Sequence, residues 1–332
     1  MNTQISRRDF MAMASLTAMG GLMNFNKAWA LGEKPNSKFK GVQIGAITYS
    51  FRSMPHDVDK LIQFCIDSNL SAIELMGDSV EEYAGKPKSP VRMGPPPAGG
   101  GRPQLTDEQR AQLAEYNKQV AEWRSTVSMD KFKEVRKKFD KAGISIYAFK
   151  PNAFGVNNTD AEVEYGMKVA KVLGATSVTL ELPTDPKQTQ RLGDLGAKNK
   201  VYVGYHNHTQ ATDTLWDNAL AQSPYNSINF DCGHYLAAGG KNTKEALMKF
   251  IENKHDRIST MHLKDRTTPE HGAGNLVWGT GDTPIREILL MIRDRKYKFP
   301  VSVELEYQIP EGSDAVKEVA KCVAFAKNIL MS

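Results

Sequence analysis

The sequence predicts an α/β fold, a single-domain (β/α)8 TIM barrel with a long insertion after its second strand. Three observations predict it. Short β-rich runs alternate with amphipathic helical runs from about residue 42 onward, the pattern of βα units wound around a parallel sheet. Eight such strands can be counted, and most recur at roughly 25 to 40 residues, the length of one βα unit. Ionisable residues gather at one end of five successive strands, where an all-parallel barrel buried on both faces should otherwise read as continuous apolar runs. An open doubly wound sheet is the runner-up. The 332 residues, 40% hydrophobic and 24% charged, suit either one large barrel or two ordinary domains, so composition alone does not choose.

In chain order, residues 1–30 read as an export signal. Ser6, Arg7, Arg8, Asp9, Phe10 and Met11 precede an apolar stretch through Phe25 and then Ala28, Trp29 and Ala30. The paired arginines followed by Phe resemble a twin-arginine signal, which implies cleavage after Ala30, passage through the twin-arginine export machinery and a periplasmic mature protein. The stretch is short and Gly-rich for spanning roughly 30 Å of hydrocarbon, so no membrane association is expected after cleavage. The formal charge of +5 falls to about +3 without these residues, too mild to imply a nucleic-acid partner. Cys65, Cys232 and Cys322 are too few and too dispersed for a disulfide framework or zinc knuckle, and read as core residues.

Residues 31–332 are the barrel. Strands are expected near 42–49, 72–76, 144–149, 177–182, 201–206, 228–231, 258–263 and 301–305. Helix punctuation falls between them: Ser128 before a run that ends at Gly143, Asn158 and Thr159 before 161–173, and Thr243 before 246–251. The second and third strands lie about seventy residues apart, far beyond a usual connection. Residues 85–127 form this insertion, with Gly94, Pro95, Pro96, Pro97, Gly99, Gly100, Gly101 and Pro103 followed by an added helix over about 106–123. It reads either as a lid at the C-terminal face of the barrel or as a surface excursion.

The chemistry lies at the strand ends. Glu181 ends the fourth strand, His206 and His208 follow the fifth, Asp231 ends the sixth, His262 and Lys264 the seventh, and Glu304 and Glu306 the eighth. Period two places Thr179 with Glu181, Gly204 with His206, Asn229 with Asp231, Thr260 with His262 and Ser302 with Glu304 on one inner wall. Carboxylates and imidazoles converging in one buried cavity need a compensating cation. Mostly oxygen donors with a borderline nitrogen suit one divalent metal ion, Mn²⁺, Mg²⁺, Co²⁺ or Zn²⁺. Lys150 ends the third strand, Glu74 lies in the second and Tyr49 ends the first, and for each a structural part is an open reading. Trp278 and Phe51 read as packing or as stacking surfaces for a sugar ring.

At these residues the sequence resembles the xylose isomerase-like barrel superfamily of sugar isomerases and epimerases, inosose dehydratase and endonuclease IV. The strings that carry the likeness are Ile73-Glu-Leu-Met-Gly77, Tyr205-His-Asn-His208, Asn229-Phe-Asp-Cys-Gly-His234, Met261-His-Leu-Lys-Asp265, Gly279-Thr-Gly-Asp282 and Val303-Glu-Leu-Glu-Tyr307. Secreted members described as sugar phosphate isomerase/epimerase are the nearest in character. The resemblance implies Asp231, His262 and Glu304 as metal ligands. It departs at the fifth strand, where the epimerase pattern has a metal-binding Glu and this chain has His206. Dehydratase-like members draw a Glu from the fourth strand, so the expected ligand set is Glu181, Asp231, His262 and Glu304, with His206 a fifth ligand or the acid/base. His206, Glu304 and Lys264 are then the catalytic candidates, and His208, His234, Lys150 and Glu306 the substrate-binding ones. His234 also matches a second-metal histidine of endonuclease IV, and Asp265 is expected to orient a neighbour.

The function expected is a divalent-metal-dependent isomerase or epimerase acting on a small-molecule sugar or keto-sugar through an enediolate intermediate. A lyase or dehydratase on a keto-sugar, keto-glycoside or inosose is the alternative, because one enediolate serves both outcomes. An endonuclease IV-like nuclease lacks the further histidines it needs at Glu74-Leu-Met and Ala148-Phe-Lys150, and a non-catalytic sugar-binding barrel would not need a complete ligand set. Export argues against a phosphorylated substrate. Self-association into a homo-oligomer is left open.

Overall fold

The computed structural model describes residues 34–91 and 105–332; the expected export signal lies outside these, as does the Pro/Gly tract of the insertion. Eight parallel strands close into a barrel: β1 (Val42–Ile47), β2 (Ala72–Met76), β3 (Ser145–Lys150), β4 (Ser177–Glu181), β5 (Tyr202–His206), β6 (Asn226–Asp231), β7 (Ile258–Leu263) and β8 (Val301–Val303). Each pairs with its sequence neighbour, and β8 returns to β1 through Val301 opposite Ile44. A two-residue strand, Lys38–Phe39, pairs antiparallel with β1.

The first and eighth strands stop two residues earlier than the sequence suggests, and the fourth one residue earlier. The first turns into a 3₁₀ segment, Thr48–Phe51, which brings Ser50 beside the end of β8. There the Ser50 hydroxyl donates to the Val303 carbonyl and accepts from the Leu305 N–H, both at 3.0 Å. On the β1 side a side chain thus replaces the ladder, while the Glu304 N–H still donates to the Leu263 carbonyl at 3.2 Å on the β7 side.

The helices that follow are α1 (Val58–Asp67), α2 (Gly77–Tyr83), α3 (Asp107–Thr126), α4 (Asp130–Ala142), α5 (Asp160–Leu173), α6 (Pro186–Asn199), α7 (Asp217–Gln222), α8 (Cys232–Ala237), α9 (Lys244–Lys254), α10 (Ile285–Arg295) and α11 (Ala315–Met331). Thr159 and Glu162 form a reciprocal capping box on α5, and Thr243 caps α9 through the Ala246 N–H, as the punctuation predicts. All three cysteines are buried free thiols. No helix among the described residues is long and apolar enough to cross a membrane.

Helix α3 of the insertion opens on a Thr106/Gln109 capping box and is largely exposed. Its last turns are held by charge as well as by apolar contact, with Val120 buried and Trp123 packed edge-on against Tyr165 of α5. The buried Arg124 reaches Glu162 of α5 at 2.9 Å and Glu81 of α2 at 3.8 Å, and donates to the Asn152 carbonyl at 3.1 Å. That end of the helix therefore sits beside the segments following β2 and β3, on the side where the strands end.

Inside the barrel, small residues make room for large ones. A Cβ on Gly45 would lie 2.5 Å from the Tyr147 ring, whose hydroxyl shares a 2.6 Å hydrogen bond with Ser302 Oγ. Above this plug the interior becomes a polar layer.

Candidate metal centre

Glu74 of β2 is the floor of that layer. The carboxylate is fully buried and has four donors: Thr179 Oγ1 at 2.7 Å and Asn229 Nδ2 at 3.2 Å on one oxygen, His262 Nε2 at 2.9 Å and Ser302 Oγ at 3.2 Å on the other. Burial would raise its pKa, but the His262 charge and these hydrogen bonds outweigh burial and lower it.

One layer up, His206, Asp231, His262 and Glu304 each bring a donor atom within 4.8 Å of the others, and all four are buried. Register explains the convergence, since Asp231 lies opposite His262 and Ser302 opposite His262 on the next strand. His206 Nδ1 meets Asn229 Oδ1 at 3.0 Å. Because Asn229 spends its Nδ2 on Glu74, its oxygen must accept, so His206 carries its proton on Nδ1 and keeps an Nε2 lone pair. Burial, then the neighbouring His262, lowers the His206 pKa and keeps that ring neutral.

His262 is the opposite case. Burial alone would discharge it, yet Glu74 at Nε2 and Glu304 at Nδ1, 3.0 Å away, raise its pKa to about 10. Glu304 is held well below the usual carboxylate range because His262 and Lys264 overcome its burial. Asp231 shows the reverse balance: burial raises its pKa more than Lys264 lowers it. Its Oδ1 caps α8 through the His234 N–H at 2.6 Å, and its backbone N–H is held by Asn207 Oδ1 at 2.8 Å. Its Oδ2 is buried with no hydrogen bond, facing Lys264 Nζ at 3.0 Å without hydrogen-bond geometry.

These residues fit a divalent cation. Buried Glu74, Asp231 and Glu304 outnumber the cations Lys264 and protonated His262 by one charge. A divalent ion in exchange for the His262 proton balances the layer, and Asp231 Oδ2 is a buried donor atom that accepts no hydrogen bond. Both imidazoles are already oriented through their other nitrogen, by Asn229 and Glu74, as ligating histidines usually are.

The other expected site residues form a rim. Glu181 stands outside the four-donor set. It is the last residue of β4, its side chain is half exposed, and Lys150 Nζ at 2.9 Å and His208 Nδ1 at 3.5 Å engage it. Burial is opposed by His206 and Lys150, and the net effect lowers its pKa. His208 and His234 pack ring against ring at 4.7 Å and, with His206, bring a second set of three nitrogens within 4.8 Å of one another. Lys264 is buried and also donates to Glu306 Oε2 at 2.6 Å.

Three residues play parts that the sequence concealed. Glu74 and Asn229 position both histidines. Asp265, the third, accepts the amides of Gly279 (2.8 Å), Thr280 (3.1 Å), Gly281 (2.9 Å) and Thr283 (3.2 Å). The glycines are required there, since a Cβ on Gly281 would sit 2.3 Å from Asp265 Oδ1. A loop that spends its amides on its own carboxylate is no phosphate cradle. Trp278 and Phe51 are buried against Phe325 and Phe64 and serve packing rather than sugar stacking.

A family model described as the xylose isomerase-like TIM barrel matches residues 110–324. The chain belongs to that family. Among solved structures, this family member is similar to a sugar phosphate isomerase/epimerase from Parabacteroides distasonis, with 16% identity over 88% of this chain and 96% of that one, TM-score 0.57. It is also similar to the probable 3-DHS dehydratase of petrobactin synthesis from Bacillus anthracis, with 14% identity over 86% and 99%, TM-score 0.55. The 3-keto-D-glucoside 4-epimerase of E. coli aligns at 10% identity over 86% and 99%, TM-score 0.55. No curated protein matches. At such identities these likenesses show the shared barrel.

Proposed function

We propose that this xylose isomerase-like barrel is a divalent-metal-dependent enzyme that moves a proton on a carbon beside a carbonyl of a sugar or keto-sugar, giving isomerisation or epimerisation. The observation that carries this reading is the convergence of His206, Asp231, His262 and Glu304 around a buried carboxylate oxygen that accepts no hydrogen bond. These four residues would hold Mn²⁺, Mg²⁺, Co²⁺ or Zn²⁺. Such an ion supplies Lewis-acid polarisation of a carbonyl and its neighbouring hydroxyl.

The chain's own residues supply the rest. Lys264 presents an ammonium beside Glu304 and Glu306, placed to steady negative charge on a substrate oxygen. Glu304 is held ionised by His262 and Lys264, the form that serves as an anionic ligand beside the reacting carbon. On the rim, His208 is half exposed and backed by Glu181, a carboxylate–imidazole pair suited to exchanging a proton with substrate. Lys150 lies where it can bind a hydroxyl.

A second reading, β-elimination, is favoured by one feature: His206 stands in the four-donor set where an epimerase pattern has a glutamate. With one carboxylate of a symmetrical proton-transfer pair missing, a base on one face and an acid on the other suits loss of a β-substituent. Incubating metal-loaded enzyme with a 3-keto-glycoside in deuterium oxide separates the readings. Deuterium at the carbon beside the carbonyl in an intact sugar supports epimerisation, and release of the substituent with an enone supports elimination. Product formed with neither event refutes proton transfer and points to hydride shift.

We further propose that the chain is exported by the twin-arginine route and works in the periplasm, as Arg7, Arg8 and the apolar stretch after them support. Replacing both arginines with lysine should abolish periplasmic yield; an unchanged yield refutes the route.

A further inference from the structure

We infer that Lys264 is a resident cation of the metal centre: its ammonium holds Asp231 and Glu304 in the metal-free protein, competes with the incoming ion, and is left to Glu306 when the ion binds. This rests on the metal reading above. The charge that faces the unsatisfied Asp231 Oδ2 is Lys264 Nζ, 3.0 Å away, and the same nitrogen lies 2.7 Å from Glu304 Oε2. Both carboxylates belong to the four-donor set. An ammonium beside two of the four donors offsets the repulsion between buried carboxylates, but it also opposes any second cation placed among them.

The seat for the lysine is built. Its side chain is 2% exposed, and its stem passes over Gly233, where a Cβ would come within 2.5 Å of Lys264 Cγ. A third acceptor waits on the outer side: Glu306 Oε2 takes a hydrogen bond at 2.6 Å and belongs to a residue that remains partly exposed. The ammonium can therefore give up Asp231 and Glu304 without losing every partner.

The test uses the mature chain, Mn²⁺ as probe and a competing chelator to measure Kd, with metal-free Tm alongside. Lys264→Met, close in length and neutral, should bind Mn²⁺ at least tenfold more tightly while its metal-free Tm falls. Glu306→Gln, at a partly exposed position that should tolerate the change, removes the negative charge of the outer seat and should weaken Mn²⁺ binding several-fold. Equal or weaker binding by Lys264→Met with normal binding by wild type overturns the proposal and leaves the metal reading standing. Should Lys264→Met not fold, Glu306→Gln decides, and unchanged or tighter binding there overturns it. If wild type binds none of Mn²⁺, Mg²⁺, Co²⁺ or Zn²⁺, the metal reading fails and this inference with it.

Discussion

Glu74→Gln probes the layer beneath the metal centre. The substitution keeps shape and burial but removes the charge that holds His262 from below, and it sets an amide against a carboxylate's four donors. Breaking a fully buried ion pair by neutralising one partner costs about 3–5 kcal/mol. For a barrel of about 300 residues, unfolding entropy near 2.1 cal/mol/K per residue makes that a fall in metal-free Tm of roughly 5–8 °C. His262 also loses the charged acceptor that orients its ring, so metal affinity should fall by about 10- to 100-fold. Calorimetry of metal-free protein and a chelator-competition titration measure the two effects. A variant with wild-type Tm and wild-type affinity would refute the claim that Glu74 positions His262.

Other outcomes follow from the same geometry. Glu181→Gln should keep its metal, because Glu181 lies outside the four-donor set, whereas His206→Gln should lose most of it, as elemental analysis of purified variants would read. The metal-free protein should lose stability as pH rises. His262 has a folded pKa near 10 against 6.5 unfolded, so its contribution is complete below about pH 6.5 and fades up to about pH 10. Over that window metal binding should tighten with rising pH, since the ion displaces the His262 proton; flat profiles in both measurements would count against a charged His262. Gly281→Ala should cost about 1–3 kcal/mol by forcing the loop off Asp265, seen in denaturant unfolding, and wild-type stability would show that the loop is not held there.

The barrel was legible because parallel strands buried on both faces leave few reasons for ionisable side chains, so Asp231, His262, Lys264 and Glu304 declared both a strand end and a site. Glu74 was less legible, since its role depends on a His262 contact 188 residues away, and an inward glutamate near the start of the chain reads as structural without it. Glu181 and His206 show a different limit. They lie opposite each other in register and share inward parity, so periodicity cannot rank them. What separates them is where each side chain goes: Glu181 turns to Lys150 and His208 on the rim, while His206 turns down to Asn229. Asp265 was hidden for a third reason, because its partners are backbone amides whose positions no residue type announces.

Anomalous diffraction from crystals of the mature protein soaked in Mn²⁺ tests the central claim most directly. One strong peak within bonding distance of His206, Asp231, His262 and Glu304, with Glu181 still paired to Lys150, is the result expected. A peak ligated by Glu181 in place of His206, or no peak at these strand ends at saturating Mn²⁺, would contradict it.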